Sequence, residues 1–400
     1  MHILYLTAEQ WPTFRADLTT LFGKYLPRFG ITCDLVTEQD IKVQAAPSWP
    51  AGKAILCQVP NNRALQYIFK FLHSVKTLIT ADYAKYDAVQ VRDMTVSALV
   101  AIVMCKIHRK PFFYWLSYPQ SEGQIDRAKK RGIKGGMRFW FPLIQGTFGK
   151  LLVYKIILPN AQHVFVQSQN MLEMVAKRGI APAKMTPVPM GVDLEAAQQT
   201  PMPSDNPALI GKRVVVYLGT LDPVRQIDIL FGMLAIIKPQ IPNILLVLAG
   251  DTEDSEHRSW LKAESEKLGL VENILWTGWL PMAEAWRYVV SAEVGLSPIP
   301  RGYLLDMGSP TKAVEYMALG IPVVMNDNPD QVLVAEDSGA AKCVPLTAEN
   351  FARSVTKLLE DSSLRDKFKM SGLEYVVLAR SYNYLAAQVA AKYHQLITKL

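Results

Sequence analysis

Cysteine is scarce in this chain. Cys33, Cys57, Cys105 and Cys343 are the only four in 400 residues, and no two share a paired spacing. That argues against a disulfide framework and a zinc site, and it fits a reducing cytosol. The six histidines are equally dispersed, so no structural metal is expected. The N-terminus, MHILYLTAEQWP, lacks a basic region followed by a long apolar run and does not read as a signal peptide. No stretch approaches the ~18 uninterrupted apolar residues of a spanning helix. The longest candidate, Ala98 to Cys105, reads as a buried helix segment, and the expectation is a chain that does not cross a membrane. The loop TAEQWPTFRAD after the first apolar run has no Gly-x-Gly-x-x-Gly turn, which disfavours an NAD or FAD enzyme. Acidic residues are missing altogether from Arg127 to Leu172.

What is present is a globular composition, half hydrophobic and one-fifth charged, with length for two or three domains. Residues 1–200 hold 24 Lys+Arg against 13 Asp+Glu, a net +11, whereas the remainder is net −4. That asymmetry points to an anionic partner for the first half. Apolar, β-branched runs alternate with longer periodic segments, the pattern of βα units on a parallel sheet. HILYLT, TCDLVT, DAVQVR, PFFYWLS and HVFVQS read as strands of the first half. Arg15 to Phe29 reads as a helix closed by Gly30, and TVSALVAIVMCKIH as another. Asp93 and Ser168 stand where helix N-caps belong, the latter heading a helix that ends at Gly179. The proline-rich TPMPSDNPAL opens a linker over 200–210, after which RVVVYLG, ILLVLAGD, NILWTG, EVGLSPI and PVVMN restart the alternation. The expected fold is α/β, with two Rossmann-like doubly wound domains facing across a cleft. Its parts are a first domain 1–199, the linker 200–210, a second domain 211–380 and a C-terminal helix 381–400.

Three constellations carry chemistry. Lys129, Lys130, Arg131, Lys134 and Arg138, with Lys150 and Lys155 beyond, interleave with Phe139, Trp140, Phe141 and Phe148. Basic residues mixed with interfacial aromatics suit a segment lying on an anionic membrane surface. A plain solvated face is the bland alternative, and nucleic acid is disfavoured because no recognition motif accompanies the charge. Arg15 sits in the first loop as a phosphate-facing residue or a surface arginine. In GTLDPVRQIDIL, Gly219 permits close backbone approach and Arg225 stands where a helix begins, a diphosphate-binding arrangement. In SPTKAVEYMALGIPVV, Pro310 suits a first helical turn, and the N–H groups of Met307, Gly308 and Ser309 are candidates for phosphate oxygens. Lys312 and Glu315 stand three apart, as a helix surface pair or as a cation and a ribose-binding carboxylate.

GTLDPVR, LAGD, WTGWL, SPTKAVEYMALGIPVV, NAQHVFVQS and VPMGVD together resemble retaining glycosyltransferases of family 4, which have the GT-B fold. The resemblance covers nearly the whole chain and is most specific from Val214 to Val324. It implies that Gly219, Thr220 and Arg225 lie against a donor diphosphate, and that Gly278, Trp279 and Leu280 meet the base. It implies phosphate donors at Gly308 and Ser309, a ribose contact at Glu315, and a second cation at Lys312. Such enzymes work without a metal or other cofactor, by same-face attack in which the leaving phosphate takes the acceptor's proton. The last helix of the family crosses back to the first domain. Two positions depart from the pattern. Met307 stands where the family's first glutamate contacts the donor sugar, with Asp306 adjacent as its replacement, and Thr220 and Gln226 stand where many members carry basic residues. The resemblance implies transfer from a nucleotide sugar, and the basic and aromatic residues of the first domain point to a lipid-diphosphate-linked saccharide as acceptor, at the cytoplasmic face of the cell membrane, in cell-surface polysaccharide or glycan assembly. Asp93 and Asp17 are the first-domain acids nearest the acceptor side, both read as helix caps. The rivals are a nucleotide-sugar epimerase of the same architecture and a catalytically silent membrane-associated partner, the latter suggested by Met307.

Overall fold

The computed structural model describes the chain apart from residues 41, 42, 44, 61, 62, 200, 201, 399 and 400, and the side chains of 63–65. Residues 200 and 201 of the expected linker, and 399 and 400 of the last helix, therefore lie outside the described residues. The chain divides into two compact units, Met1–Met190 with Tyr382–Leu400, and Gly191–Ser381.

The first unit is built on seven parallel strands: β1 (His2–Thr7), β2 (Thr32–Glu38), β3 (Ala54–Cys57), β4 (Ala88–Arg92), β5 (Phe112–Leu116), β6 (His163–Val166) and β7 (Met185–Pro187). Their order is β3-β2-β1-β4-β5-β6-β7. The second unit repeats the plan with β8 (Arg213–Leu218), β9 (Ile244–Ala249), β10 (Ile274–Gly278), β11 (Val294–Ser297), β12 (Val323–Asn326) and β13 (Ala341–Val344), ordered β10-β9-β8-β11-β12-β13. In both sheets the order reverses beside the first strand, between β1 and β4 and between β8 and β11. Open parallel sheets bind ligands where the strand order reverses, outside the carboxyl ends. The central strands are continuous apolar runs because helices cover both faces. The last helix, Tyr382–Thr398, belongs to the first unit, where Tyr382, Leu385, Val389 and Tyr393 join the core around Phe113, Trp115 and Phe165.

Several expectations shift. The helix expected from Arg15 to Phe29 is a π-helix over Asp17–Tyr25 followed by a tight turn, Leu26–Phe29, closed by left-handed Gly30. Ser168 caps its helix by accepting from Met171 N–H at 3.0 Å, but that helix ends at Ala176. The proline-rich stretch is not a free tether. Ser204 N–H donates to Ser291 Oγ at 2.8 Å and Asn206 Nδ2 to Tyr288 Oη at 3.0 Å, which fasten it to the second unit.

Four helices frame one end of the first unit: α1 (Arg63–Thr80), α2 (Thr95–His108), α3 (Gln120–Arg131) and α4 (Met137–Leu152). α4 continues through a π-helical turn, so that helix runs unbroken from Met137 to Asn160. These 24 residues are long and apolar enough to cross a membrane by length and composition, and only 28% of their most apolar window is buried. They, not Ala98–Cys105, are the longest apolar segment. Arg138, Gln145 and Lys150 interrupt the run in sequence, whereas Trp140, Phe141, Ile144, Phe148 and Leu151 line up along the helix and stay exposed. The opposite face presses on α3. A Cβ on Gly146 would sit 2.6 Å from the Ser121 carbonyl oxygen, whereas one on Gly149 would meet only the Ser121 hydroxyl, which can rotate away. Gly146→Ala should therefore destabilise the protein by about 1–3 kcal/mol through overpacking. Gly149→Ala should be near neutral. Urea unfolding midpoints at unchanged slope check both.

Candidate active site

The sheet of the second unit ends on glycines that side chains would block. Gly219, Gly250 and Gly278, at the ends of β8, β9 and β10, have φ of +134°, +145° and +72°. A Cβ on Gly250 would sit 2.1 Å from the Gly219 carbonyl oxygen, so these two turns cross in contact. Gly250 also pairs with Gly278 in an antiparallel bridge. The Gly219 N–H is already spent on the Ala249 carbonyl at 2.9 Å. This glycine thus provides room rather than a donor, and what fills the room is Lys312. A Cβ on Gly219 would lie 2.8 Å from Lys312 Cε.

Lys312 is the first residue of the helix Lys312–Ala318, so the helix starts two residues later than Pro310 suggests. Its side chain is buried and brings the ammonium 5.3 Å from the centroid of the Tyr217 ring. Tyr316 pins the helix: its hydroxyl accepts from Leu218 N–H at 2.8 Å and donates to the Leu296 carbonyl at 3.2 Å. Gly295 in β11 makes space for that ring, since a Cβ there would come within 2.5 Å of it. Burial, and then repulsion from Arg225, push the Lys312 amine down to about 7 against the opposing pull of Glu315. Burial raises the Glu315 carboxyl above its ordinary value, against a hydrogen bond with Thr311 and the charge of Lys312. Arg225 ends the short turn Pro223–Arg225, and its Nε is buried without a hydrogen-bond partner. Two cations and a buried, unsatisfied N–H on one rim fit a multiply charged anion with acceptor oxygens.

The other residues singled out in the second half are placed unevenly. Thr220 accepts at its carbonyl from Tyr217 Oη at 2.9 Å, beside the cluster. Trp279 is exposed after the Gly278 turn, and Leu280 packs against the core. Met307 is buried, and Gly308 N–H donates to the Leu305 carbonyl at 3.2 Å, so it is not open to phosphate as expected. The Ser309 hydroxyl donates to Asp330 Oδ2 at 2.7 Å and accepts from Arg380 Nη1 at 3.3 Å. It serves a buried ion pair, because Arg380 and Asp330 meet at 2.9 Å. Asp306 is clamped through both oxygens by Arg301, at 2.9 and 3.1 Å, which argues against its standing in for the glutamate absent at Met307.

In the first unit, neither acid is a helix cap. Asp17 pairs with buried Arg92 at 2.8 Å. Burial pushes its carboxyl up, but Arg92 and Arg15 together outweigh that and hold it below the ordinary value. Asp93 has a left-handed backbone, φ +53°, and precedes α2, whose cap position is Met94. Its carboxylate accepts from Ser117 N–H at 3.0 Å and also from the Ser117 hydroxyl. Burial pushes Asp93 up to about 6, with Arg92 and Ser117 opposing. Arg15 is held by Asp17 at 3.4 Å and Glu9 at 3.7 Å, so its charge is partly answered within the protein. Lys129, Lys130, Arg131, Lys134, Arg138 and Trp140 are all exposed at the α3–α4 corner. Sequence reasoning passed over Gly250, Tyr316 and α1. The first two were detectable from the glycine within LAGD and from the tyrosine beside Glu315.

Residues 202–374 match the family described as glycosyl transferases group 1. No curated protein sequence matches the chain. Among solved structures, a sucrose-phosphate synthase from Thermosynechococcus elongatus superposes with a TM-score of 0.75 at 18% identity, covering 100% of both chains. HepE from Anabaena, solved with UDP, gives a TM-score of 0.70 at 16% identity over 99% of this chain and 100% of its own. WaaG, a glycosyltransferase involved in lipopolysaccharide biosynthesis, gives 0.70 at 13% identity over 98% of this chain and 99% of its own. The whole chain therefore has the GT-B fold, and most of its second unit, which carries the Lys312 cluster, matches the glycosyl transferases group 1 family.

Proposed function

We propose that this chain is a retaining hexosyltransferase that moves a sugar from a nucleoside diphosphate to a lipid-linked saccharide at the cytoplasmic face of the cell membrane, in polysaccharide or glycan assembly. The observation that carries the donor half is the buried Lys312 laid across Gly219 beside the unsatisfied Arg225. Glu315, half-buried on the next turn, is the partner for ribose hydroxyls. Gly278, Trp279 and Leu280 form the base side, which a UDP-sugar is the first candidate to fill, since HepE has been solved with UDP.

The chemistry is leaving-group stabilisation. The bond from the anomeric carbon to the phosphate oxygen breaks, a bond from the acceptor oxygen forms on the same face, and the acceptor's proton passes to the departing phosphate. Negative charge accumulates on the diphosphate as the sugar becomes oxocarbenium-like, and preorganised cations act where that charge develops. Arg225 and Lys312 fill this role with no divalent metal or other cofactor required. The lipid-linked acceptor rests on the net +11 of residues 1–200 and on the exposed basic and aromatic residues of α3 and α4, which suit an anionic membrane surface.

The direct test is a thermal-shift screen of UDP-, GDP- and ADP-sugars. One class should stabilise the protein, and Glu315→Ala should abolish that gain; no response to any nucleotide sugar would sink the donor assignment. Lys312 sharpens it. An empty-site pKa of about 7 rises when the diphosphate binds. Affinity for the nucleotide sugar should therefore be flat below pH 7 and weaken as pH climbs above it, since the neutral amine must first take up a proton. Lys312→Met should remove this pH dependence, lower kcat/KM by about 10²–10³-fold, and raise the melting temperature of the empty protein by relieving a buried charge. For the membrane half, the wild type should float with anionic but not neutral vesicles, and neutralising Lys129, Lys130 and Arg131 should weaken flotation. Equal flotation with both vesicle types would reject it.

A further inference from the structure

The first unit contains a cavity of about 580 Å³ for which the donor chemistry has no use. It opens at the carboxyl ends of β1, β2 and β4, between α1 and α4. Its polarity is inverted relative to an ordinary cleft. Apart from Cys57, the deeply buried lining side chains are polar, among them Ser97 and Ser121, while the large apolar lining side chains Tyr67, Phe71, Val96 and Phe148 are exposed beside Gln120 and Gln145. Asp93 belongs to the polar part. Its left-handed backbone and the two Ser117 bonds fix the carboxylate in place as an acceptor.

The apolar rim does not stop at the cavity. It continues along α1 through Ile68 and Leu72, and along α4 through Trp140, Phe141 and Ile144. Exposed apolar faces of this extent mark a membrane or partner surface. No acidic residue occurs between Arg127 and Leu172, so the charge around α4 complements an anionic bilayer. The cavity's own charges say what its head group should be. Among the described residues, the charged lining side chains are Glu38 and Asp93 against Lys70, which Glu38 already holds in an ion pair, and Arg92 answers Asp93 from behind at 3.8 Å. An anionic head is therefore disfavoured there, while a neutral, hydroxylated head can donate to the waiting carboxylate.

We propose that this cavity binds the acceptor as an amphiphile, hydroxylated head inward at the polar residues around Asp93, with one apolar chain leaving between α1 and α4 into the bilayer. The proposal rests on the reading that the acceptor is lipid-linked, and it adds the site and the orientation.

Calorimetric titration of the full chain with octyl β-D-glucoside, kept below its micellar concentration, tests it against methyl β-D-glucoside and octyl phosphate. The octyl glucoside should bind about tenfold or more tightly than the methyl glucoside, because the chain is buried as well. It should also bind more tightly than octyl phosphate. Val96→Trp, a replacement at an exposed position, should fill the mouth and remove the advantage of the octyl chain, and Phe71→Glu should weaken it. Equal binding of the two glucosides, or unchanged binding to Val96→Trp, overturns the proposal. The two hypotheses fail separately. Loss of the chain-length effect with an intact thermal response to nucleotide sugars removes the cavity assignment alone. Octyl-glucoside binding without any nucleotide-sugar response leaves the cavity standing and removes the donor assignment.

Discussion

The second unit is organised around a lysine that the empty protein holds at a cost. Lys312 is buried across Gly219, beside a second cation, with only the half-buried Glu315 to oppose the repulsion. Burying an ammonium in such surroundings disfavours its charged form, so the empty state is under electrostatic tension. The backbone around it is arranged to tolerate this. Gly219 and Gly250 cross without side chains, Gly295 admits the Tyr316 ring, and Tyr316 ties the helix that carries Lys312 to two strands. None of these features improves the stability of the lysine itself. They fix its position, and a fixed charge need not reorganise when opposite charge develops beside it.

The two units share one strand order, yet the places where that order reverses carry opposite chemistry. In the second unit the turn after the first strand is a glycine overlain by cations. In the first unit the strand beside the reversal, β4, ends on Arg92, which is committed to Asp17, and Asp93 follows it. Arg92 is as buried as any core residue, and its partners are Asp17, the Ser117 hydroxyl and, at 3.8 Å, Asp93. It therefore neutralises acid inside the unit, while Asp93 also lines the cavity. On the proposed reading, a common fold offers cations to one ligand and a carboxylate to another, through the side chains at its strand ends.

How much of this was legible beforehand depends on whether the signal was local. The strands HILYLT and DAVQVR and the helix TVSALVAIVMCKIH follow from apolar runs and period, and the structure places them at those residues. β3, β7 and β13 are short edge strands, mostly half-buried, and lack the continuous apolar run that marks equally short inner strands such as β6. Gly219, Arg225, Lys312 and Glu315 were legible as a group because a glycine turn after a strand and a Ser-Pro helix start are local signals, and the charges stand out among apolar neighbours. What could not be read was the spending of hydrogen bonds. Gly308, Ser309 and Asp306 are suitable anion or sugar ligands by residue type, but Leu305, Asp330 and Arg301 already engage them. Asp93 failed as a cap for a similar reason, since the residue that competes for it, Ser117, is 24 positions away.

The α1 and α4 faces show why an uninterrupted-run criterion misses an apolar surface. A helix of 24 residues can carry Arg138, Gln145 and Lys150 and still present an apolar stripe, because residues three and four apart share a face. An exposed stripe of this kind is unfavourable in water and cannot be explained by the stability of the unit that bears it. Nor can the buried polar lining behind it, which a soluble core would exchange for apolar side chains. Each feature is unfavourable alone, and both become favourable together if a polar head enters between chains that remain in lipid. The same logic holds for Lys312 in the other unit: residues that weaken the empty protein indicate, by their chemistry, the ligand that would relieve them.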